Sequence, residues 1–290
     1  MKRDVDNPVV RAALGRVWPN AATVERVQIR AISGGVSPRS FLVVAGNQRY
    51  VLRMPATSSM ALLDLATEAR AMRAAAAADL APAVLAVDVE TGLLLTEYKV
   101  MPWTNEMVHE PIAIATIVRA LRTLHSLPVE LPAIAIKEVA LRYLDQLDAH
   151  PARPMSADDR RWGDELLRLA GHHEANHAPV AFCHNDLLAA NILSDGAAAR
   201  FVDFEYAGRG APLLDLANLA GMNDFTEAQR QLMLAEYYGE AAATSLATEL
   251  DGAIRMVRLL AYFWARLAAK RASDTDAYLK YATEMAATLK

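Results

Sequence analysis

The chain is poor in cysteine. Among its 290 residues there is one, Cys183, so no intrachain disulfide can form. A single thiol suits a reducing compartment, and the expectation is a cytoplasmic protein. Cys183 ends the apolar run Val180-Ala181-Phe182, where a thiol without a cationic neighbour stays neutral. It reads as a small buried hydrophobe rather than a nucleophile. Glycine and proline number thirteen each, too few for low-complexity disorder. No stretch reaches the ~18 uncharged apolar residues of a spanning helix. The most apolar C-terminal run, 253–269, is interrupted by Arg255, Arg258 and Arg266. A basic excess is missing as well. Thirty Lys and Arg against 34 Asp and Glu give a net charge of −4, and the pI is about 6.0. Duplex nucleic acid and anionic lipid are poor partners for such a surface. The first residues, Met1 to Asp6, carry early basic groups, then acids, and no apolar stretch of a secretory signal. Nothing points to an obligate protein partner.

What is abundant is alanine, with 57 copies. Alanine is the best helix former, so the excess argues for many helices. The first hundred residues are nevertheless strand-rich. Val24 to Ile32 is β-branched and ends at Ser33-Gly34-Gly35. Phe41 to Ala45 and Gln48 to Arg53 flank Gly46-Asn47, a two-residue hairpin signal of type II′ or I′. A helix is expected from Ser58 to about Ala77, then strands at 84–87 and 93–98. After Pro102 the pattern turns helical: 112–127, 136–147, 156–172 with Ser156 as N-cap, and most of the chain from Pro212. Short strand-like pieces lie at 180–182, 191–193 and 200–202. The expected class is α+β, with a small lobe over 1–100, a sheet plus one helix, and a larger helical lobe over 101–290.

The chemistry concentrates in His184-Asn185-Asp186-Leu187-Leu188-Ala189-Ala190-Asn191, followed by Phe201-Val202-Asp203-Phe204-Glu205. Asp186 and Asn191 are five residues apart, with Asn191 opening a strand. Asp203 ends the neighbouring strand. Two hairpin strands then present an asparagine and an aspartate oxygen side by side. Hard oxygen donors with room for water and phosphate suit Mg²⁺. The remaining carboxylate, Asp186, can accept a hydroxyl proton. That equipment serves phosphoryl transfer. The plainer reading is a polar turn, since Asn and Asp are common turn residues. Its placement between apolar strands, answered by a second apolar-apolar-Asp-Phe, favours the functional one.

These segments resemble the kinase-like phosphotransferases that include choline/ethanolamine kinases and aminoglycoside phosphotransferases. The resemblance runs from about Ile32 to about Tyr281. It leans towards the choline/ethanolamine branch through Cys183 to Leu187, Asp203 to Gly208 and Asp215 to Asn218. It implies a bilobal protein-kinase-like fold, ATP with Mg²⁺, and a small-molecule alcohol as acceptor. In that resemblance Asp186 is the base, Asn191 and Asp203 hold Mg²⁺, and His184 braces the loop. Asp215 fixes the loop backbone, or caps the helix from Leu216. Ser33, Gly34, Gly35 and Ser37 form the phosphate-covering loop, although Pro38 stands where relatives have asparagine. Arg53 replaces the kinase lysine, with Glu68 as its partner; the alternative for Glu68 is an exposed acid near Arg73. Glu97 and Tyr98 offer backbone groups to adenine.

The helix from Ile254 to Lys270 carries Tyr262-Phe263-Trp264, where choline kinases have an aromatic segment. Aromatic faces attract a quaternary ammonium. Trp264 and Tyr281 are the candidate acceptor contacts, with Glu205 as a nearby acid; core packing is the alternative. Leu267 departs from the family, which often has a second tryptophan there. His125 reads as a structural helix-end residue. His172, His173 and His177 lack Cys or acid partners at ligand spacing and read as an exposed helix end followed by a loop. The expected function is ATP-dependent phosphorylation of choline or a choline-like amino alcohol. Thiamine, ethanolamine, homoserine, a sugar or an aminoglycoside stay open as acceptors, as does a non-catalytic nucleotide-binding pseudokinase.

Overall fold

The computed structural model describes residues 8–18, 27–32, 40–54, 64–99, 103–149, 155–194, 197–271 and 275–289. The chain forms two compact units, Met1–Thr104 with Ala189–Ala207, and Asn105–Leu188 with Gly208–Lys290. No helix among the described residues is long and apolar enough to cross a membrane.

The first unit opens with a helix that the strand-rich reading misses, α1 (Pro8–Val17). Its signal is present: Val10, Ala13, Leu14 and Val17 repeat at i, i+3, i+4 and i+7, and all are buried. Five antiparallel strands follow: β1 (Gln28–Ala31), β2 (Ser40–Ala45), β3 (Gln48–Arg53), β4 (Val84–Asp88) and β5 (Leu93–Glu97). Their order is β1-β2-β3-β5-β4. Ala45 pairs with Gln48, so Gly46-Asn47 is the two-residue loop expected. Positive φ at Gly46 (61°) and not at Asn47 selects type II′ of the two candidates. Helix α2 (Leu65–Ala77) joins β3 to β4. It begins at Leu65; the expected start, Ser58, lies outside the described residues. The Asp64 side chain accepts from the amides of Ala66 and Thr67 and fixes the first turn there.

Leu52, Ile29, Val43, Leu93 and Leu95 pack with α1 in one core. Strand alternation therefore turns Arg53, next to Leu52, to the other sheet face. The short hairpin of β7 (Ile192–Ser194) and β8 (Ala199–Phe201) belongs to this unit too. The Phe201 amide donates to the Leu80 carbonyl (2.7 Å), and Arg200 forks onto Asp79 (3.1 and 2.6 Å).

The second unit is largely helical: α3 (Asn105–Val108), α4 (Pro111–Ser126), α5 (Ile136–Asp148), α6 (Ala157–Asn176), α7 (Pro212–Met222), α8 (Glu227–Tyr238), α9 (Glu240–Arg271) and α10 (Thr275–Thr288). Two three-residue strands, β6 (Ala181–Cys183) and β9 (Gly208–Gly210), pair antiparallel. Nothing in Gly-Arg-Gly signals a strand, and β9 is unforeseen. Ser156 caps α6 as expected, in a capping box with Asp159. Helix α9 packs against α5, α6, α7, α8 and α10. The histidine reading needs correction. Helix α6 runs on to Asn176, and His173 is buried, pushed down to about 4 by burial first and then by His177. Folding also brings an acid from far along the chain: Glu249 of α9 meets His172 at 3.1 Å and His177 at 3.6 Å.

Gly208 is required for close approach. A Cβ there would lie 2.6 Å from Ile134 Cγ1 and 3.1 Å from the Pro132 carbonyl oxygen. Backbone cannot retreat as a side-chain tip can. Gly208→Ala is expected to lower the unfolding free energy by about 1–3 kcal/mol, the usual scale of overpacking. Urea denaturation checks this, and unchanged stability would refute the packing account.

Candidate active site

The loop after β6 is held from beneath by one helix. Helix α7 is buried on all sides, yet it carries Asp215 and Asn218 one turn apart. Asp215 is fully buried. Its Oδ2 accepts from the His184 amide (2.8 Å) and His125 Nε2 (2.9 Å), and its Oδ1 accepts from the Asn185 amide (2.7 Å). Asn218 accepts from the Leu187 amide (2.6 Å) and donates to the Asn185 carbonyl (3.1 Å). Asn223 donates to the Leu187 carbonyl (2.8 Å). The Asp186 amide donates to His184 Nδ1 (3.2 Å), so the buried imidazole props the loop from within. Asp186 itself remains half-buried, its backbone gripped on either side.

The N-cap alternative for Asp215 is overturned, because α7 begins at Pro212 with Ala211 in the cap position. Burial opposes ionisation of Asp215, but the His125 and His184 contacts outweigh it and hold the carboxyl below its usual range. Cys183 is buried beside it, and burial first, then the Asp215 charge, push its thiol well up. It is inert, as expected.

In the first unit, Arg53 gathers two carboxylates. Its Nη1 donates to Asp203 Oδ1 and its Nη2 pairs with Glu68 Oε1. Glu68 is buried and takes the Arg53 reading rather than an exposed one. Burial works against the guanidinium charge, yet Asp203, Glu68 and Glu205 together raise the Arg53 pKa above its ordinary value. Burial pushes Glu68 up, since its one cation is shared with a second acid. Asn191 closes a 3₁₀ turn (Ala189–Asn191) before β7, and its carbonyl accepts from the Val202 amide (3.0 Å). Asn191 and Asp203 thus flank the two ends of one hairpin. Asp203 lies in the left-handed region at φ 67°, as does Asn185 at 66°. The amides of Glu97 and Tyr98 donate to Ala83 (2.9 Å) and Arg49 (3.0 Å), so neither N–H is available to adenine. Ser33, Gly34, Gly35 and Ser37 fall outside the described residues.

Trp264 of α9 meets two tyrosines of α10 edge-on, Tyr278 at 5.7 Å and Tyr281 at 6.3 Å. Tyr278 is buried, whereas Trp264 and Tyr281 are half-buried. Burial first, and then the charges of Asp186, Glu284 and Asp224, push the Tyr281 pKa up. Asp186 and the aromatic group are therefore close within the second unit. Glu205 lies within the field of Arg53 in the first unit. Leu267 is buried. Sequence reasoning misses the roles of Asn218, Asn223 and Asp224. A polar i, i+3 pair in an apolar helix is the signal that would have found Asn218.

Asp215→Asn keeps the shape but sets an NH₂ group against N–H donors. The expected loss is about 3 kcal/mol of unfolding free energy at pH 7, in the range for buried hydrogen bonds to a charge. The Asp215 pKa is depressed in the folded state, so its stabilisation is present above the unfolded value of ~3.9 and is lost as pH falls through the lower folded value. The wild-type advantage should shrink below about pH 4. Denaturation of both proteins from pH 7 to pH 3 tests this; a pH-independent difference would refute the ionised assignment.

The sequence pattern of the phosphotransferase enzyme family matches residues 28–250. The chain is 30% identical over 182 residues to ethanolamine kinase 2 of Rattus norvegicus, covering 55% of this chain and 47% of that protein. It is 26% identical over 191 residues to protein LicA of Haemophilus influenzae, covering 64% of this chain and 56% of LicA. The chain spans about half the length of the curated relatives it matches. Among solved structures, the choline/ethanolamine kinase family protein from Mesorhizobium loti has a TM-score of 0.79 at 26% identity, over 97% of this chain and 92% of that one. An aminoglycoside-3′-phosphotransferase of type VIII shares the fold, with a TM-score of 0.62 at 19% identity over 87% and 97%. With a match that takes in the sheet, the Arg53 cluster and the α7-held loop, the chain belongs to the phosphotransferase enzyme family.

Proposed function

We propose that the protein transfers the γ-phosphate of ATP, with Mg²⁺, to the hydroxyl of a small amino alcohol of the choline or ethanolamine type. One observation carries the reading. One half-buried arginine, Arg53, joins Glu68 and Asp203, the residues in which phosphate and metal binding were expected. A guanidinium fork suits phosphate oxygens as well as carboxylates. Residues 1–100 are proposed as the nucleotide-binding lobe, with Ser33, Gly34, Gly35 and Ser37 over the phosphates. Residues 101–290 are proposed to carry the catalytic loop and the acceptor. The names of the relatives, ethanolamine kinase and LicA, support an amino alcohol. The single buried thiol supports a cytoplasmic setting.

Asn191 and Asp203 fit a magnesium ion by donor type, both offering hard oxygens from the ends of one hairpin. Mg²⁺ bound there would neutralise charge on the phosphates. Asp186 accepts the proton of the acceptor hydroxyl as its oxygen bonds to phosphorus and ADP leaves. Trp264 and Tyr281 present ring faces and edges to the ammonium group, in the negative field of Asp186, Glu284 and Asp224.

Turnover of ATP with a panel of alcohols tests the reading. Choline, ethanolamine, homoserine, thiamine, a sugar and an aminoglycoside separate the acceptor classes. No turnover with any of them would leave a nucleotide-binding protein without this chemistry. Asp186→Asn should keep ATP affinity and fold while lowering kcat by ~10²-fold or more. Full activity in that variant ends its assignment as base.

Trp264→Ala should raise KM for the acceptor roughly five- to thirtyfold, with KM for ATP unchanged, and Trp264→Phe should recover part of the loss. A core role predicts a lower melting temperature and equal damage towards both substrates. Melting curves and both KM values in one variant set decide between them.

A further inference from the structure

In the first unit one guanidinium serves two carboxylates of unequal burial. The Glu68 side chain on α2 is 6% exposed, the Asp203 side chain 35%. Arg53 divides itself between them, with Nη2 on buried Glu68 and Nη1 on the more open Asp203. Its Nε is buried without a hydrogen-bond partner. Asp203 stands just past the β7–β8 hairpin in left-handed backbone, φ 67°, and is the carboxylate proposed for magnesium.

Two cations therefore have a claim on one carboxylate. A guanidinium and a divalent ion can each match the Asp203 charge, and they repel each other at the short separation that sharing it imposes. Stripping water from Mg²⁺ is costly, so the ion settles where negative charge is open to it. With Arg53 in place, the Asp203 charge is already matched. Asn191, the other proposed ligand, is neutral and offers no substitute. Triphosphate oxygens change this balance. A guanidinium fork takes phosphate oxygens as readily as carboxylates, and Arg53 still has an unmet donor in Nε.

We propose that Arg53 guards the metal ligand: in the nucleotide-free protein its Nη1 holds Asp203 against a divalent cation, and the phosphates of a nucleotide must draw the guanidinium away before metal binds there. Metal then enters with the nucleotide or after it, not before. This deepens the phosphotransferase reading and rests on it for the nucleotide's part. The competition for Asp203 stands on the ion pair.

Lysine separates occupation from charge. Arg53→Lys keeps the positive charge but carries one ammonium, which buried Glu68 retains, and Asp203 is left open. Arg53→Met removes both contacts. Mn²⁺ is the probe, its free ion followed by electron paramagnetic resonance in nucleotide-free protein, with melting curves to show that each variant is folded. Both variants should bind Mn²⁺ about tenfold more tightly than wild type, as expected when a carboxylate charge is released to a cation. Asp203→Asn in the lysine background should cancel the gain. A non-hydrolysable ATP analogue should tighten Mn²⁺ binding in wild type beyond what the analogue holds in solution, and by a smaller factor in Arg53→Lys. The proposal is overturned if Arg53→Lys binds no more tightly than wild type, if its gain survives Asp203→Asn, or if the analogue tightens both proteins equally. A gain in Arg53→Met alone is relief of charge and overturns it too. Should no analogue bind and no alcohol be phosphorylated, the functional reading fails by itself, while Mn²⁺ titration of nucleotide-free protein still decides whether Arg53 holds Asp203.

Discussion

A fully buried carboxylate is the constraint around which the second unit is arranged. Ionised Asp215 can be kept out of water only if its lone pairs are met. The His184 and Asn185 amides and His125 meet them. Those donors cannot be supplied by α7, which spends its own amides on its helix. The loop must come to the carboxylate, and so the loop acquires a fixed shape. Asn218, one turn further along, repeats the device with the Leu187 amide and the Asn185 carbonyl. A segment without regular secondary structure thus has most of its backbone polar groups satisfied by side chains, which is what lets it be ordered and half-exposed at once.

The first unit meets a different electrostatic requirement. Arg53 is one cation facing Glu68, Asp203 and Glu205. Lysine at this place could offer a point charge to one acid at a time. The planar fork of arginine meets two acids from different directions, so it can tie α2 and the β7–β8 hairpin to the end of β3. The excess negative charge left over is tolerable because Asp203 is only partly buried. It is also a natural attraction for a divalent cation.

Much of this was legible in the sequence, and the reasons differ by residue. The Gly46-Asn47 hairpin, the Ser156 capping box and the helices from Pro111 to Asn176 follow from local rules, which a few neighbouring residues decide. The pairing of Arg53 with Glu68 was reachable only through the family resemblance, because no local rule acting on the fourteen residues between them brings the two side chains together. Glu249 with His172 and Tyr237 with His125 were not reachable at all. Each pair is more than seventy residues apart and is made by helix packing. The missed helix α1 is another kind of error. Its i, i+3, i+4, i+7 pattern is present, but the strand-rich reading of the first hundred residues begins at Val24 and assigns no element to the segment.

Left-handed backbone conformations mark where local rules give way. Among the described residues the non-glycine cases are Asp79, Asn185, Asp203 and Asp224. All are Asp or Asn, the side chains that tolerate this region best. Asp79 is held by the fork of Arg200, and Asn185 by Asp215 and Asn218. Asp203 is held by Arg53, and Asp224 by Arg258 at 2.6 Å. Each strained residue thus has an ionic or hydrogen-bonding partner brought from far along the chain. The strain persists only because the surrounding fold over-determines it. The turn chemistry of Asn and Asp permits these conformations locally; the distant partners select them. That division explains why the sequence says little about how these residues are held.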